Sequence, residues 1–335
     1  MNPTQALNKT ILSGIQPSGR LHLGNYFGAI KQHLRMQDQG NSFYFIANYH
    51  SLTSLTDGER LRRYTLDVTL DYLALGMNPE KCTFFAQSDV PQVTELAWIL
   101  GTLCPVSLME KGVAYKDKVA HGLPANIGLF TYPILQAADI LIYGSDLVPV
   151  GADQKQNIEM ARDLAGKFNN TFNQDVLTIP DAYIVESVAS VPGIDGRKMS
   201  KSYNNAIDIF EEGKALKKKV MSIQTDSKGL DEPKDPYACN VFSLIKLFAG
   251  KELLAEIENN YKAGGYGYGH AKKQLLELIE NYFAKARERR KELEQDEDYV
   301  IDILRAGGEK ARLRAEEIME PLRKVTGILR TKPIL

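Results

Sequence analysis

The first half of the chain alternates short apolar runs with longer amphipathic stretches. The apolar runs predict buried strands at 10–13, 43–47, 83–86 and 147–150. The amphipathic stretches predict helices over 25–39, 58–75, 93–103 and 154–168. This alternation favours an α/β fold whose parallel sheet is covered on both faces, with ligands bound at the carboxyl ends of the strands.

The pattern changes at about Asn205, where helical spacing takes over and strand patterns nearly disappear. We therefore predict a sheet domain over 1–204 and a smaller all-helical domain over 205–295. The last amphipathic segment, 296–335, is compatible with packing on either domain.

Composition narrows the class of protein. The chain has 335 residues, of which 44% are hydrophobic and 25% charged, and its net charge is −1. Near-neutrality excludes a generally basic nucleic-acid-binding protein, so a polyanionic partner would have to meet a local patch. No apolar run reaches the roughly 20 residues of a membrane span, and residues 1–10 lack the apolar region of a secretory signal.

The cysteines indicate a reducing compartment. Cys82, Cys104 and Cys239 are far apart and odd in number. We therefore expect a cytoplasmic protein without a disulfide framework, and neither a zinc nor an iron–sulfur site of ordinary spacing.

Lysines and hydroxyls alternate in Lys198-Met199-Ser200-Lys201-Ser202, directly after a turn-rich segment at 192–196. Two ammonium groups three residues apart require solvent or an anion. The chemistry suits a polyphosphate whose negative charge grows as a bond breaks. A solvated basic loop is the alternative.

A glycine-rich loop follows the first predicted strand. It runs from Gly14 to Gly19, and His22, Gly24 and Asn25 come next, where a helix begins. Glycines allow the backbone to approach a ligand, and a helix N-terminus offers free N–H groups to an anion. An ordinary strand–helix turn would also fit the glycines. His22 and Asn25 favour a phosphate site.

Two motifs together carry a family resemblance. His22-Leu-Gly-Asn25 resembles the first signature of class I aminoacyl-tRNA synthetases, and Lys198–Ser202 resembles the second. Segments of the bacterial-type tryptophanyl group are matched at 13–19, 131–139, 148–156 and 264–267, and the resemblance spans about 10–329. It implies a Rossmann-like doubly wound parallel sheet with a smaller helical anticodon-binding domain.

The implied activity is ligation of L-tryptophan to tRNA(Trp) through an adenylate, with ATP and Mg²⁺ and no protein-bound metal. By resemblance the catalytic residues are Lys198, Lys201, His22 and Lys118, with Lys116 as an alternative to Lys118. The implied ATP contacts are Gln16, Pro17, Ser18, His22, Gly24, Asn25, Gly151, Ala152, Asp153, Lys198, Met199, Ser200, Lys201 and Ser202.

Asp139 is the strongest candidate for recognition of the amino acid. It lies in an apolar stretch, 134–143, where a carboxylate needs a reason to be buried. Indole has one donor and no acceptor, so its pocket needs an acceptor, although a capping or ion-paired Asp is the alternative. The resemblance implies tryptophan contacts from Asp139, Tyr132, Gln136, Gln154, Val148, Val150, His50, Leu12 and Gly14.

Two residues depart from the tryptophanyl pattern. Gln136 stands where many relatives have methionine and tyrosyl enzymes have glutamine, and Ala152 stands where many have glutamate. Tyrosine–tRNA ligation is therefore one alternative, although Leu12 cannot hydrogen-bond a phenol. A small nucleotidylyltransferase and a catalytically silent paralogue that binds tryptophan or RNA are the others.

The partners implied by the resemblance are tRNA(Trp) and a second copy of the chain in a homodimer. Two basic clusters are candidates for RNA contact, or else solvated helix faces balanced by glutamates. They are Lys214, Lys217, Lys218 and Lys219, and Arg287, Arg289, Arg290 and Lys291.

Overall fold

The chain folds around one parallel sheet of five strands in a computed structural model, which describes residues 9–110, 112, 115, 116, 120, 125–151, 155–184 and 191–329. The strands are β1 Thr10–Ile15, β2 Asn41–Ile46, β3 Thr83–Ala86, β4 Leu147–Val150 and β5 Asp181–Ile184. Their spatial order is β3-β2-β1-β4-β5, and every pairing is parallel. The four predicted strands are confirmed, and the sequence pattern missed β5.

Side chains of the central strands alternate between two hydrophobic cores. In β2, Phe43 and Phe45 lie in one core, while Tyr44 and Ile46 lie in the other. This is the period of two that a strand buried on both faces requires. The doubly wound sheet is therefore covered on both faces, as the apolar runs predict.

Helices cover the sheet and continue beyond it. The first segment is α1 Leu23–Asn25, which passes through a π-helical turn, Tyr26–Ile30, into α2 Lys31–Met36. The others in the sheet region are α3 Asn48–Ser51, α4 Gly58–Ala74, α5 Gln92–Leu103, α6 Val106–Met109, α7 Ile127–Leu141 and α8 Lys155–Phe172. The predicted helices are confirmed to within a few residues at each end.

Beyond Asn205 the regular elements among the described residues are helical. They are α9 Gly213–Met221, α10 Asn240–Ile245, α11 Lys251–Ala263, α12 Tyr268–Leu293 and α13 Glu297–Thr326. The core that contains Tyr44 extends into α12 through Ile279 and Phe283. Arg290 of α12 also bonds Asp71 of α4 at 2.6 Å, so the helical region is joined to the sheet by apolar and ionic contacts.

The last helix, α13, lies against the sheet at β3. A Cβ added to Gly307 would lie 1.9 Å from the carbonyl oxygen of Phe84, so only glycine permits this approach. Arg323, near the end of α13, forms a two-pronged ion pair with Glu95 of α5, with both N–O distances 2.7 Å. The C-terminal segment, for which the sequence favoured neither domain, therefore packs against the sheet region.

Candidate active site

The glycine-rich loop brings its backbone close to the second strand. A Cβ at Gly14 would lie 2.5 Å from the ring of Phe45, so glycine is required there. The loop ends at His22, whose Nδ1 accepts from the backbone N–H of Asn25 at 3.3 Å, while Asn25 Oδ1 accepts from the N–H of His22 at 3.1 Å. This reciprocal cap fixes both side chains at the start of α1.

The lysine loop is held beside the first motif by backbone pairing. Leu23 N–H donates to Ile207 O and Ile209 N–H donates to Leu21 O, each at 3.0 Å. Lys201 Nζ crosses to the glycine-rich loop and donates to Ser18 O at 3.0 Å. The two motifs, at least 173 residues apart in the chain, therefore form one site.

Asn205 organises the lysine loop, and sequence reasoning missed it. Its side chain is buried; Oδ1 accepts from Ser200 N–H at 2.8 Å, and Nδ2 donates to Asp195 Oδ1 at 2.7 Å and Lys198 O at 3.2 Å. A Cβ at Gly193 would lie 2.4 Å from this amide, so glycine leaves room for it. A short polar residue three positions after the motif was the only available signal.

Burial lowers the pKa of His22 and of Lys201, which favours the neutral form of each side chain. Burial, with the nearby charge of Lys201, lowers the pKa of His22 to about 4. Burial likewise lowers the pKa of Lys201, although Asp208 and Asp71 oppose the change. His22 is therefore neutral at physiological pH and offers its ring as a hydrogen-bonding group, without charge.

A cavity of about 440 Å³ lies at the carboxyl ends of β1 and β4, beside the glycine-rich loop. Its volume is within the usual range of small-molecule sites. The structure brings many of the sequence-predicted site residues together in its wall: Leu12, Gly14, Gln16, His50, Tyr132, Gln136, Asp139, Val148 and Gly151.

Asp139 lies buried in the wall of this cavity with two polar partners. His50 Nε2 lies 2.8 Å from Asp139 Oδ2, and Gln87 Nε2 donates to Oδ1 at 2.8 Å. Burial raises the pKa of the Asp139 carboxyl, and the bonds from His50 and Gln87 oppose this rise. Gln87 directly follows β3 and was not predicted, because its sequence context is only that of a strand end.

A second buried polar chain reaches the same cavity. Ser13 Oγ lies 2.8 Å from His33 Nε2, and His33 Nδ1 lies 3.0 Å from Tyr72 OH. Burial lowers the pKa of His33 to about 4, so the imidazole is neutral at physiological pH. Sequence reasoning missed Ser13 and His33, because a lone histidine on an amphipathic helix carries no chemical signature.

The remaining predicted residues lie elsewhere or outside the described residues. Pro17 and Ser18 lie in the glycine-rich loop and Gly24 in α1, where an added Cβ would be 2.9 Å from His22 Nδ1. Met199 is buried, while Lys198 and Ser202 are exposed. Lys118, Ala152, Asp153, Gln154 and the side chain of Val150 lie outside the described residues. Lys116 is described and exposed.

Several cations of the two basic clusters are already paired within the chain. Lys219 pairs with Glu211 at 3.0 Å, and Lys291 with Glu212 at 2.7 Å. Arg287 is buried and donates to Ile209 O at 2.9 Å. These contacts favour the solvated or structural interpretation for those residues.

Two features are absent from the part of the chain that the structure describes. None of the described helices combines the length and the apolar character that crossing a membrane would need. Within the same residues, no three His, Cys, Asp or Glu side chains are grouped as a metal site would require.

Comparison with known proteins is consistent with this geometry. Residues 6–284 match the family model for tRNA synthetases class I (W and Y). The tryptophan–tRNA ligase of Fusobacterium nucleatum is 53% identical, and the match covers 96% of this chain and 98% of that protein. The tryptophan–tRNA ligase of Rhodopirellula baltica is 49% identical, and the match covers 95% of this chain and 99% of that protein. The crystal structure of tryptophanyl-tRNA synthetase from Campylobacter jejuni complexed with ADP and tryptophan superposes with a TM-score of 0.90 at 48% identity, covering 95% of this chain and all of that one. The chain therefore belongs to the class I tRNA synthetases of the tryptophan and tyrosine family, and within it to the tryptophan–tRNA ligases.

Proposed function

We propose that the chain activates L-tryptophan with ATP and transfers the tryptophanyl group to tRNA(Trp). The observation that carries this proposal is the buried carboxylate of Asp139 in the cavity wall. Indole has one N–H donor and no acceptor, and the carboxylate is an acceptor held in place by His50 and Gln87. The Campylobacter relative was crystallised with ADP and tryptophan, which supports the same pair of ligands here.

Activation needs positioning and charge stabilisation more than a protein nucleophile. A carboxylate oxygen of tryptophan attacks the α-phosphorus of ATP, and the bond to the β-phosphate oxygen breaks to release pyrophosphate. Lys198 and Lys201 neutralise the charge that grows on pyrophosphate, and His22 and Asn25 bind the phosphates. Lys201 is supported in this role because its Nζ already reaches the glycine-rich loop. The terminal adenosine hydroxyl of the tRNA then attacks the tryptophanyl carbonyl, and AMP leaves.

The other site residues keep the roles that the resemblance implies. Tyr132 and Gln154 bind the α-amino group, Gly24 lies under the adenine, and Lys118 adds charge to the ATP site. Gln16, Pro17, Ser18, Gly151, Ala152, Asp153, Met199, Ser200 and Ser202 complete the ATP site. Mg²⁺ enters with ATP, because phosphate oxygens are the ligands it prefers.

We further propose a homodimer in the cytoplasm, with the helical residues 205–295 reading the anticodon. Trp98, Val106 and Ile127 support self-association, because they are 76%, 65% and 76% exposed on α5, α6 and α7. Both α5 and α6 contact α7. Large exposed apolar side chains on adjoining elements mark an association surface.

ATP–pyrophosphate exchange with each of the twenty amino acids tests the activity. Exchange with tryptophan and charging of tRNA(Trp) are expected. Preferential exchange with tyrosine would replace the substrate assignment, and Leu12, which lines the cavity, gives a phenol hydroxyl no hydrogen bond. Tryptophan binding without exchange would identify a silent paralogue.

A further inference from the structure

A second cavity, of about 580 Å³, lies between α4, the end of β3 and α13. Leu61 and Leu304 contribute to an apolar floor. Three arginines are among its lining residues, namely Arg62 of α4 and Arg305 and Arg312 of α13. We call it the arginine pocket.

The arginine pocket carries an excess of positive charge, although Asp89 attracts Arg312 and Arg305 and offsets part of it. Its lining contains three arginines and one carboxylate, Asp89. Among the described residues, Arg62 and Arg312 make no hydrogen bond or ion pair, and Arg305 pairs with the exposed Asp302. An ion pair in solvent contributes little free energy, so Arg305 can exchange Asp302 for another anion.

Glycine holds this part of α13 against the sheet. A Cβ at Gly308 would lie 2.6 Å from the Cβ of Asp89. Glycine is less favourable than alanine inside a helix, and here it permits the helix to approach Asp89 closely. Arg305 and Arg312 flank Gly308 at spacings of three and four residues, so they lie on the same helix face. Their backbone positions are therefore fixed relative to the carboxyl end of β3.

The arginine pocket adjoins the cavity of about 440 Å³ that Asp139 lines, which we call the tryptophan cavity. Asn48 and Ser88 line it and bond each other, with Asn48 Nδ2 donating to Ser88 Oγ at 2.8 Å. The next residues belong to the other site: Gln87 donates to Asp139, and Tyr49 N–H donates to Gln87 Oε1 at 3.0 Å. The two cavities therefore lie beside the same two segments, at the edge of the sheet where the acyl acceptor must arrive.

Guanidinium groups match phosphate geometry, and RNA offers a row of phosphates. We propose that the arginine pocket binds a backbone phosphate in the acceptor arm of tRNA(Trp) and so directs the 3′ end toward the tryptophan cavity. The inference rests on the proposed function, because it assumes that tRNA is the acyl acceptor. Inorganic phosphate offers the same chemistry, and the test separates the two sources.

The test uses the full chain with Arg305→Gln, Arg312→Gln and the double variant. Each single variant should raise KM for tRNA about tenfold, the loss expected for one charge-assisted hydrogen bond. Each should also reduce the slope of log(kcat/KM) for tRNA against log[salt] by about 0.7, the value for one single-strand phosphate contact. Tryptophan-dependent ATP–pyrophosphate exchange, measured without tRNA, should stay within about twofold of wild type, because no pocket arginine is among the residues that line the tryptophan cavity.

Two control variants test whether the effect comes from positive charge inside the arginine pocket. Lys310→Gln removes one charge from an exposed position of the same helix outside the pocket, and should leave KM for tRNA and the salt slope unchanged. Arg312→Lys keeps the charge and should keep most of the salt slope.

Different outcomes overturn different proposals. Unchanged KM for tRNA and an unchanged salt slope in the double variant, with exchange intact, overturn the phosphate site and leave the proposed function standing. Absence of exchange in wild type overturns the proposed function itself. If inorganic phosphate alters exchange in wild type but not in the double variant, and KM for tRNA is the same in both, the pocket is a small-anion site and the RNA assignment is wrong.

Discussion

His50 Nε2 lies 2.8 Å from Oδ2 of Asp139, and both side chains are buried. Gln87 donates to the same carboxylate, so Asp139 is held by two side chains from the segments that follow β2 and β3. Its position in the cavity wall is therefore set by the sheet, and its acceptor oxygens are fixed before a ligand arrives.

Substitution Asp139→Asn should remove the preference of the enzyme for a substrate that carries the indole N–H. A hydrogen bond to a charged group contributes about 1.5–3 kcal/mol, so wild type should prefer tryptophan to its benzothiophene analogue by about tenfold to a hundredfold in kcat/KM for exchange. In the variant the ratio should approach one. Asp163→Asn, at an exposed position of α8, should leave the preference intact. Equal use of both substrates by wild type would contradict the assignment.

Substitution Lys201→Ala should slow adenylate formation. Removing one group that stabilises developing charge costs about 10²–10³ in rate, while KM for tryptophan should change by no more than about twofold. Exchange kinetics at saturating ATP provide the measurement, and Lys214→Ala, on the exposed surface of α9, is the control. An equally large loss of tryptophan affinity would argue against a transition-state role.

Substitution Asn205→Ala should loosen the lysine loop without changing its charge. The variant loses hydrogen bonds to Ser200 N–H, Asp195 and Lys198 O, so we expect KM for ATP to rise about tenfold and proteolysis within 191–205 to accelerate. Asn204→Gly is the matched control, because Asn204 is exposed and its φ of +52° suits glycine. Unchanged ATP kinetics in the Asn205 variant would show that the loop is fixed by other contacts.

The two helix glycines Gly307 and Gly166 should respond to alanine with opposite signs. At Gly307 the new Cβ meets the carbonyl of Phe84, so Gly307→Ala should lower the free energy of unfolding by more than about 2 kcal/mol. At Gly166, inside α8, a Cβ meets nothing within 4 Å, and Gly166→Ala should raise it by about 0.5–1 kcal/mol. Urea unfolding compares the two, and equal effects would mean that α13 does not lie against β3 as described.

The imidazole of His33 should make folding stability depend on pH. The unfolded chain takes up this proton near pH 6.5, whereas the folded chain does so only near pH 4. Between these values the unfolded state binds more protons, so the free energy of unfolding falls as the pH is lowered, by up to about 1.4 kcal/mol per pH unit.

Comparison with His33→Gln isolates this contribution. Burial raises the pKa of Asp71 to about 6, which acts in the opposite direction over the same range, so the total slope alone is not diagnostic. The loss of stability between about pH 6.5 and about pH 4 should be smaller in His33→Gln than in wild type. Identical pH profiles would mean that His33 is not buried in its neutral form.

The sequence was sufficient to predict the features that follow a hydrophobic pattern or match a known motif. The four predicted strands follow from short apolar runs bounded by polar segments. The proximity of His22 and Lys201 follows from the two signatures and from the topology of a parallel sheet. Sequence reasoning missed β5, because the apolar run in Asp181-Ala-Tyr-Ile184 is only three residues long, and runs of that length also occur in loops. It also missed Gln87, His33 and Asn205, whose importance comes from partners 52, 39 and 10 residues away, a spacing that no local pattern records.

The close approach of α13 to β3 has a consequence for solubility. Because β3 is the outermost strand beside β2, its free edge would expose unpaired backbone groups to other chains. Gly307 brings the helix backbone against Phe84 at this strand. Loss of α13 would therefore expose the edge of β3 to strand pairing between molecules. Truncation near Glu297 should accordingly cause the protein to aggregate.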